Sequence, residues 1–393
     1  MKFSGRRKSA QRRPGPVSGA VAALKGERRR ALRVLVTGPL LEKPGGVAQY
    51  LRVVLPFLHV SAEHFVIGSR CEDESPMVSL LRLWADWFAF VRRLQREKFD
   101  LVHLNPSLGV KALVRDGVLL LLAKAWGKRV LVFLHGWDEV CEQRFVRPAA
   151  WLFRAVYGRA DCIAVLGSEF ARKLRSLGYQ KSILFQTLPV QKELWKRSPE
   201  ESAKRTEKKD MEFRILFLAR VERKKGIYEA LDAYRLVKRF IPSATLTVAG
   251  DGSELARARE YARQAELTGI SFRGHVSGQE KAAVFQGADV YLFPSYSEGL
   301  PISVLEAMVS GLPIVTTRVG GLPDFFEDGK MGYGLTGAQP ERAAEILCQL
   351  WTNPRLRSEM SRFNASYARR HFHPRRVAVQ LEEAYERVLG GAQ

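Results

Sequence analysis

The sequence predicts an α/β protein of two doubly wound domains facing one central cleft. Three observations carry that expectation. The chain has 393 residues, more than one core accommodates, because single cores stop growing near ~250–300 residues. Short apolar runs alternate with helix-period patterns along most of its length, the signature of parallel strands joined by crossover helices. The alternation breaks once, over residues 191–212, and then resumes.

The first series opens at Leu32–Thr37, a buried strand, followed by a glycine turn at Gly45 and Gly46 and a helix over Val47–Leu58. Strand His64–Ile67, helix Val78–Gln95, strand Leu101–Leu104, helix Val110–Ala125 and strand Val130–Leu134 come next, then helix Phe145–Tyr157, strand Cys162–Leu166, helix Glu169–Leu177 and strand Ile183–Leu188. Between Lys192 and Asp210 there are seven basic and five acidic residues with almost nothing apolar, which places a charged linker at 191–212. The second series runs through strand Phe213–Ala219, helix Ile227–Phe240, strand Thr245–Ala249, helix Leu255–Leu267, strand Ile270–Phe272, helix Glu280–Gln286, strand Val290–Phe293, helix Ile302–Val309 and strand Pro313–Thr316, with helices from Glu341 onward. The expected units are therefore a first domain over 31–190, a second over 213–372, and a terminal helix in 373–393 that packs back on the first domain. Two such sheets in tandem turn their carboxyl ends, where these folds bind ligands, toward one another.

Cys71, Cys141, Cys162 and Cys348 are far apart and form no C-x-x-C pair, so the sequence suggests neither a zinc site nor a disulfide framework and fits a reducing compartment. No apolar stretch approaches the roughly 18–20 residues of a membrane span, and the short run Val17–Leu24 lacks the form of a secretion signal. A cytoplasmic location is expected. The net charge is +22, of which ten Lys and Arg against the single Glu27 put +9 into residues 1–30, read as a basic, unstructured tail. Such a balance favours anionic partners: an acidic membrane surface, phosphorylated substrates or nucleic acid. No aromatic-rich RNA motif or recognition-helix pattern accompanies it, so a basic nucleic-acid-binding protein is the alternative of a different class.

The stretch Tyr291–Gly321 carries the most chemical information. A strand ends at Pro294, a polar loop covers Ser295–Gly299, and a helix starts at Pro301 or Ile302, presenting backbone N–H groups and a positive dipole end suited to an anion. Glu298 lies in the loop and Glu306 one to two turns into the helix; two carboxylates beside a phosphate site make sense as acceptors for the hydroxyls of a sugar and a ribose. Arg220 and Lys225, in Leu218–Gly226 (LARVERKKG), occupy the loop after the first strand of the second domain, where a phosphate-binding cation belongs. Arg223 and Lys224 read as solvated loop charges.

With the loop-helix sequence EGLPISVLE, the chain resembles glycosyltransferase family 4, the retaining family with the GT-B fold of two Rossmann-like domains, from about Leu32 to about Ala384. The resemblance implies a nucleotide-diphosphate-sugar donor, UDP- or GDP-linked, that is a substrate rather than a cofactor, and a glycan or lipid-linked acceptor. It implies that Glu306 binds the ribose, that Glu298 binds a hydroxyl of the transferred sugar, and that backbone N–H groups around Gly299, Leu300, Ile302 and Ser303 meet the sugar and diphosphate. Arg220 and Lys225 would neutralise charge on the leaving diphosphate, without a metal. Gly45 and Gly46 match the family's first-domain glycine loop. Gly250 (AGDGSEL) would pack near the nucleotide, and Arg273, His275 and Val276 (RGHV) would frame the base. His135, at a strand end before Gly136, would lie at the reaction centre to orient the sugar or stabilise positive charge, with Asp138 as an acceptor contact. A nucleotide-sugar epimerase of the same fold is the nearest alternative; the paired HG and SEGLP elements favour transfer. Leu80–Arg93 (LLRLWADWFAFVRR) mixes aromatic and basic residues. It reads either as a core stripe through Trp84, Phe88 and Val91, or, with the tail, as a peripheral membrane contact.

Overall fold

The computed structural model describes residues 32–43, 45–70, 75–106, 109–137, 139–207 and 212–391. The basic tail and Asp138 lie outside them. In the first domain β1 (Arg33–Gly38), α1 (Gly46–Val54), β2 (Ser61–Val66), α2 (Pro76–Arg96), β3 (Leu101–Leu104), α3 (Val110–Ala125), β4 (Arg129–Leu134), α4 (Glu139–Cys141), α5 (Ala150–Tyr157), β5 (Cys162–Val165), α6 (Ser168–Ser176) and β6 (Ser182–Phe185) build a parallel sheet of order β2-β1-β3-β4-β5-β6. After α7 (Pro199–Glu207) the second domain follows with β7 (Arg214–Leu218), α8 (Ile227–Phe240), β8 (Thr245–Ala249), α9 (Leu255–Gln264), β9 (Ile270–Gly274), α10 (Gly278–Gly287), β10 (Val290–Phe293), α11 (Ile302–Val309), β11 (Ile314–Thr317) and β12 (Gly332–Leu335), closed by α12 (Pro340–Thr352), α13 (Pro354–His371) and α14 (Pro374–Gly390). Its sheet order is β12-β11-β10-β7-β8-β9, the 3-2-1-4-5-6 arrangement counted from β9.

Both sheets are parallel throughout, and the strands are buried on both faces: every residue of β3, β5, β10 and β11 is buried. That is why they appear in the sequence as continuous apolar runs. Strand order reverses between β1 and β3 in one sheet and between β7 and β10 in the other. Those are the points where open sheets of this kind take ligands.

Three features differ from the sequence expectation. Residues 191–212 are not merely a linker: α7 lies within them and packs on α13, burying Ser202 and Ala203. The helix expected from Phe145 starts only at Ala150, because Pro148 supplies no N–H; residues 142–146 form a single π-turn instead. The strand β12 is additional, its two glycines having diluted the apolar pattern. At the carboxyl end, α14 lies on the first domain. Glu382 accepts from the backbone N–H groups of His59 and Val60, and Tyr385 hydrogen-bonds His103 Nδ1 at 2.8 Å in the interior.

Candidate active site

The loops at the two switch points face each other across a cleft of about 810 Å³ whose walls include Gly45, Gln49 and Arg52 from the first domain and His275, Val276 and Lys281 from the second. Deeper in, the domains converge backbone to backbone. A Cβ on Gly299 would stand only 2.8 Å from the carbonyl oxygen of His135, so the residue after Glu298 has to be small. Ser168, through its N–H and hydroxyl, donates to the Asp324 carboxylate across the same boundary.

On the second-domain side, β7 delivers Arg220 and Lys225 and β10 delivers the loop of Ser295 and Glu298. Lys225 Nζ sits 2.6 Å from Glu298 Oε1, with both side chains largely buried, and Ser295 donates to the same oxygen at 2.7 Å. Arg220 is exposed and rests on Glu222 at 2.6 Å. Its loop is braced from below by the turn after β8: Val221 N–H donates to Asp251 O at 2.9 Å. Gly250 adopts φ +133° there, and a Cβ would fall 1.8 Å from Ala219 O, so only glycine permits that contact. Gly250 therefore shapes the loop of Arg220. Arg223 and Lys224 behave as loop charges, the first over the Tyr228 ring at 5.8 Å and the second 3.3 Å from Glu222.

The helix α11 begins at Ile302 with Pro301 as its cap residue and no side-chain cap, so its leading N–H groups, including those of Ile302 and Ser303, have no intrahelical acceptor. Leu300 is buried beside them. Glu306, almost fully buried, pairs with Lys281 at 2.8 Å. Burial pushes its carboxyl upward in pKa, and Lys281 and Gln49 oppose that shift. Lys281 was not singled out in the sequence. Its only signal is a lone lysine among Ala282, Ala283 and Phe285, near the start of a helix that follows RGHV.

From the first domain, Gly45 caps α1 at φ +139°, with open space where a Cβ would point, and Gly46 begins the helix. His135 follows β4, and Asn105, a second residue the sequence reading missed, follows β3. Asn105 Nδ2 donates to Thr37 O at 2.9 Å, which leaves its Oδ1 to accept from His135 Nε2 at 2.8 Å. The imidazole is thereby fixed as the Nε2–H tautomer. Its Nδ1 is buried with no hydrogen-bond partner among the described residues. Burial, with His103 nearby, lowers the His135 pKa to about 3. The ring is neutral near pH 7 and presents a lone pair, which suits it to accept from a hydroxyl.

Arg273 does not join these residues. Side chains alternate along β9, and that of Arg273 lies outside the cleft, beside Arg214, Thr247 and Ala283, with Glu280 at 4.0 Å. The expectation that it frames the base is corrected on that geometry, whereas His275 and Val276 do line the cleft.

Two family profiles match the chain: "Glycosyl transferases group 1" over residues 198–367 and "Glycosyl transferase 4-like domain" over residues 62–183. In both halves the chain resembles the group 1, family 4 glycosyltransferases. Among curated relatives, a D-inositol 3-phosphate glycosyltransferase of Paenarthrobacter aurescens is 32% identical over 183 residues, 45% of either chain, so the match spans about half of that relative. A putative colanic acid biosynthesis glycosyltransferase of Salmonella typhimurium is 27% identical over 325 residues, covering 78% of this chain and 74% of its own. Solved structures share the architecture at low identity. Anabaena HepE, in complex with UDP and glucose, superposes with a TM-score of 0.70 at 18% identity over 90% of this chain and 99% of its own. Sucrose-phosphate synthase from Thermosynechococcus elongatus gives 0.71 at 18% over 92% and 100%. The fold is GT-B.

Proposed function

We propose that this glycosyltransferase moves a sugar from a UDP- or GDP-sugar to a glycan or lipid-linked acceptor, with retention of configuration and without a metal, in the assembly of a polysaccharide or glycoconjugate. The observation that carries this reading is the convergence of Lys225, Glu298 and the start of α11 on the His135–Gly136 backbone, where the carboxyl ends of the two sheets meet. Diphosphate oxygens would lie against the α11 N–H groups, Lys225 and Arg220, so that charge developing on the leaving group meets fixed positive charge. Glu298 would accept from a sugar hydroxyl, and His135, its ring oriented by Asn105, would stand at the reaction centre. Among the described residues no side chain stands out as a covalent nucleophile, so departure and attack would use one face of the sugar, with the leaving phosphate accepting the acceptor's proton. Binding of UDP and UDP-glucose in solved structures of the same fold supports the donor class. Thermal unfolding against a panel of nucleotide sugars should show one UDP- or GDP-sugar raising the midpoint, by the linkage of binding to folding. No shift with any of them up to millimolar concentration would refute the reading.

We further propose that the enzyme works on the surface of an anionic membrane. No described helix is long and apolar enough to cross one, but α2 presents an apolar outer face: Trp84 is 62% and Phe88 70% exposed, with Met77 and Leu81 beside them and Arg92 and Arg96 further along. The core stripe of α2 is instead Phe90 and Leu94. Basic side chains near an anionic leaflet contribute about 1 kcal/mol each, so the +9 of residues 1–30 would add to that face. Sedimentation with vesicles containing phosphatidylserine should show salt-sensitive binding that drops sharply when residues 1–30 are deleted. Binding unchanged by the deletion would remove the tail from this role.

A further inference from the structure

A second cavity, of about 380 Å³, runs between α3 and α5 in the first domain. Val110, Val114, Leu121, Phe145 and Leu152 line it, with Tyr157 at its inner end. Apart from Tyr157, whose phenol is occupied with Leu113 O at 2.8 Å, its lining contributes only hydrocarbon. From Val110 to Leu121 the groove follows roughly 16 Å of helix. This is a different surface from the cleft, sharing no residue with it.

Its orientation gives it a meaning. Both helices start at the carboxyl edge of the sheet and run back from it: α3 begins after β3 and Asn105, and Phe145 lies in the segment after β4 and His135. The Val110–Phe145 end of the groove thus opens beside the loops that carry Asn105 and His135, and the opposite end leads away from the reaction centre. Positive charge collects at the near end. Lys111 and Arg144 are exposed there, and α3 begins without a side-chain cap, leaving the positive end of a 16-residue helix dipole at the mouth. An apolar groove with a cationic mouth fits an amphiphile with a hydrocarbon chain and an anionic head. The outer face of α2, which packs on α3, continues the apolar surface.

We infer that the α3–α5 groove binds the hydrocarbon chain of a phosphate-bearing lipid, holding the head group at the edge of the cleft so that the acceptor of the transfer is a lipid-linked molecule. The inference rests on the glycosyltransferase reading for the word acceptor, but the lipid site itself does not. A chain laid along the groove replaces water against Val114 and Leu152, whose present exposures are 59% and 48%, and each buried methylene adds to affinity.

The test uses the full chain and dodecyl phosphate below its micelle concentration, with methyl phosphate as the chainless control. Titration calorimetry should give a dissociation constant for dodecyl phosphate at least about tenfold below that for methyl phosphate. The double variant Val114→Gln/Leu152→Gln, at two surface-facing positions, should lose at least about tenfold in dodecyl phosphate affinity, while Phe240→Gln, at an exposed apolar position on α8 of the second domain, should not. Far-UV circular dichroism melts verify that the variants fold. Equal binding of the two phosphates, or undiminished dodecyl phosphate binding by the folded double variant, would overturn the inference. Binding of UDP and GDP by the same proteins reads the other proposal separately. Binding of UDP or GDP without chain-dependent phosphate binding sinks the groove alone, and chain-dependent phosphate binding with neither UDP nor GDP bound sinks only the transferase reading.

Discussion

Replacing Lys225 by alanine is expected to lower turnover by about 10²–10³ in a protein that still folds, with a lowered melting temperature because the largely buried Glu298 loses its cation. Lys225 Nζ is already held, 2.6 Å from Glu298, at the end of β7, so it need not be gathered from solution when the donor arrives. A cation fixed in advance near the leaving diphosphate stabilises the transition state more than the ground state, and its loss should therefore appear mainly in kcat rather than in KM. Arg220 stands in a different condition. It is exposed and parked on Glu222, so it must reorient to reach the diphosphate, and Arg220→Ala should also depress turnover severely. Arg223→Ala serves as the control, because that guanidinium covers the Tyr228 ring and should matter little to rate. Steady-state transfer assays on the purified proteins decide the matter: turnover near wild type for Lys225→Ala would end its assignment to the diphosphate.

The contrast between Lys225 and Lys281 shows where the sequence is legible. Lys225 sits in a loop immediately after a recognisable buried strand, and position in a doubly wound fold gives such a residue a meaning before any contact is known. Lys281 sits inside a helix, and its partnership with Glu306, 25 positions along the chain, arises only from how α10 packs beside α11. Asn105 was hidden in the same way, since an Asn before Pro106 after a strand reads as a turn residue; its task of fixing the His135 tautomer depends on β1, β3 and β4 being adjacent in the sheet. Arg273 failed in the opposite direction. It lies on β9, whereas His275 and Val276, which do line the cleft, come after the turn that Gly274 makes at φ +68°. For the helix at Leu80–Arg93, periodicity offered the face of Trp84, Phe88 and Val91 as the core side, but the buried face is that of Phe90 and Leu94, and Trp84 and Phe88 are exposed. Only the packing of Phe90 against Phe65, with ring centroids 5.6 Å apart, distinguishes the two faces.

Glu306→Gln is expected to weaken binding of a nucleoside diphosphate by ~1.5–3 kcal/mol, the size of one hydrogen bond to a charged group, or about 10- to 150-fold in dissociation constant. Glutamine keeps the shape of the side chain but removes the negative charge with which, on the proposed reading, Glu306 would accept from the ribose hydroxyls. The wild-type carboxylate has two opposing influences: burial raises its pKa, and Lys281 at 2.8 Å partly offsets that rise. Affinity should therefore fall as pH drops through that raised pKa, because protonation abolishes an acceptor, and the glutamine variant should lack this dependence. The ribose itself can be interrogated. Calorimetric titration with UDP and with its 2′,3′-dideoxy analogue should show a large affinity difference for the wild type and a small one for Glu306→Gln, since removing the hydroxyls and removing the carboxylate delete the same interaction. Glu298→Gln should leave that difference intact and act on the sugar instead. If Glu306→Gln binds UDP as tightly as the wild type, the carboxylate is a structural partner of Lys281 and the ribose is held elsewhere.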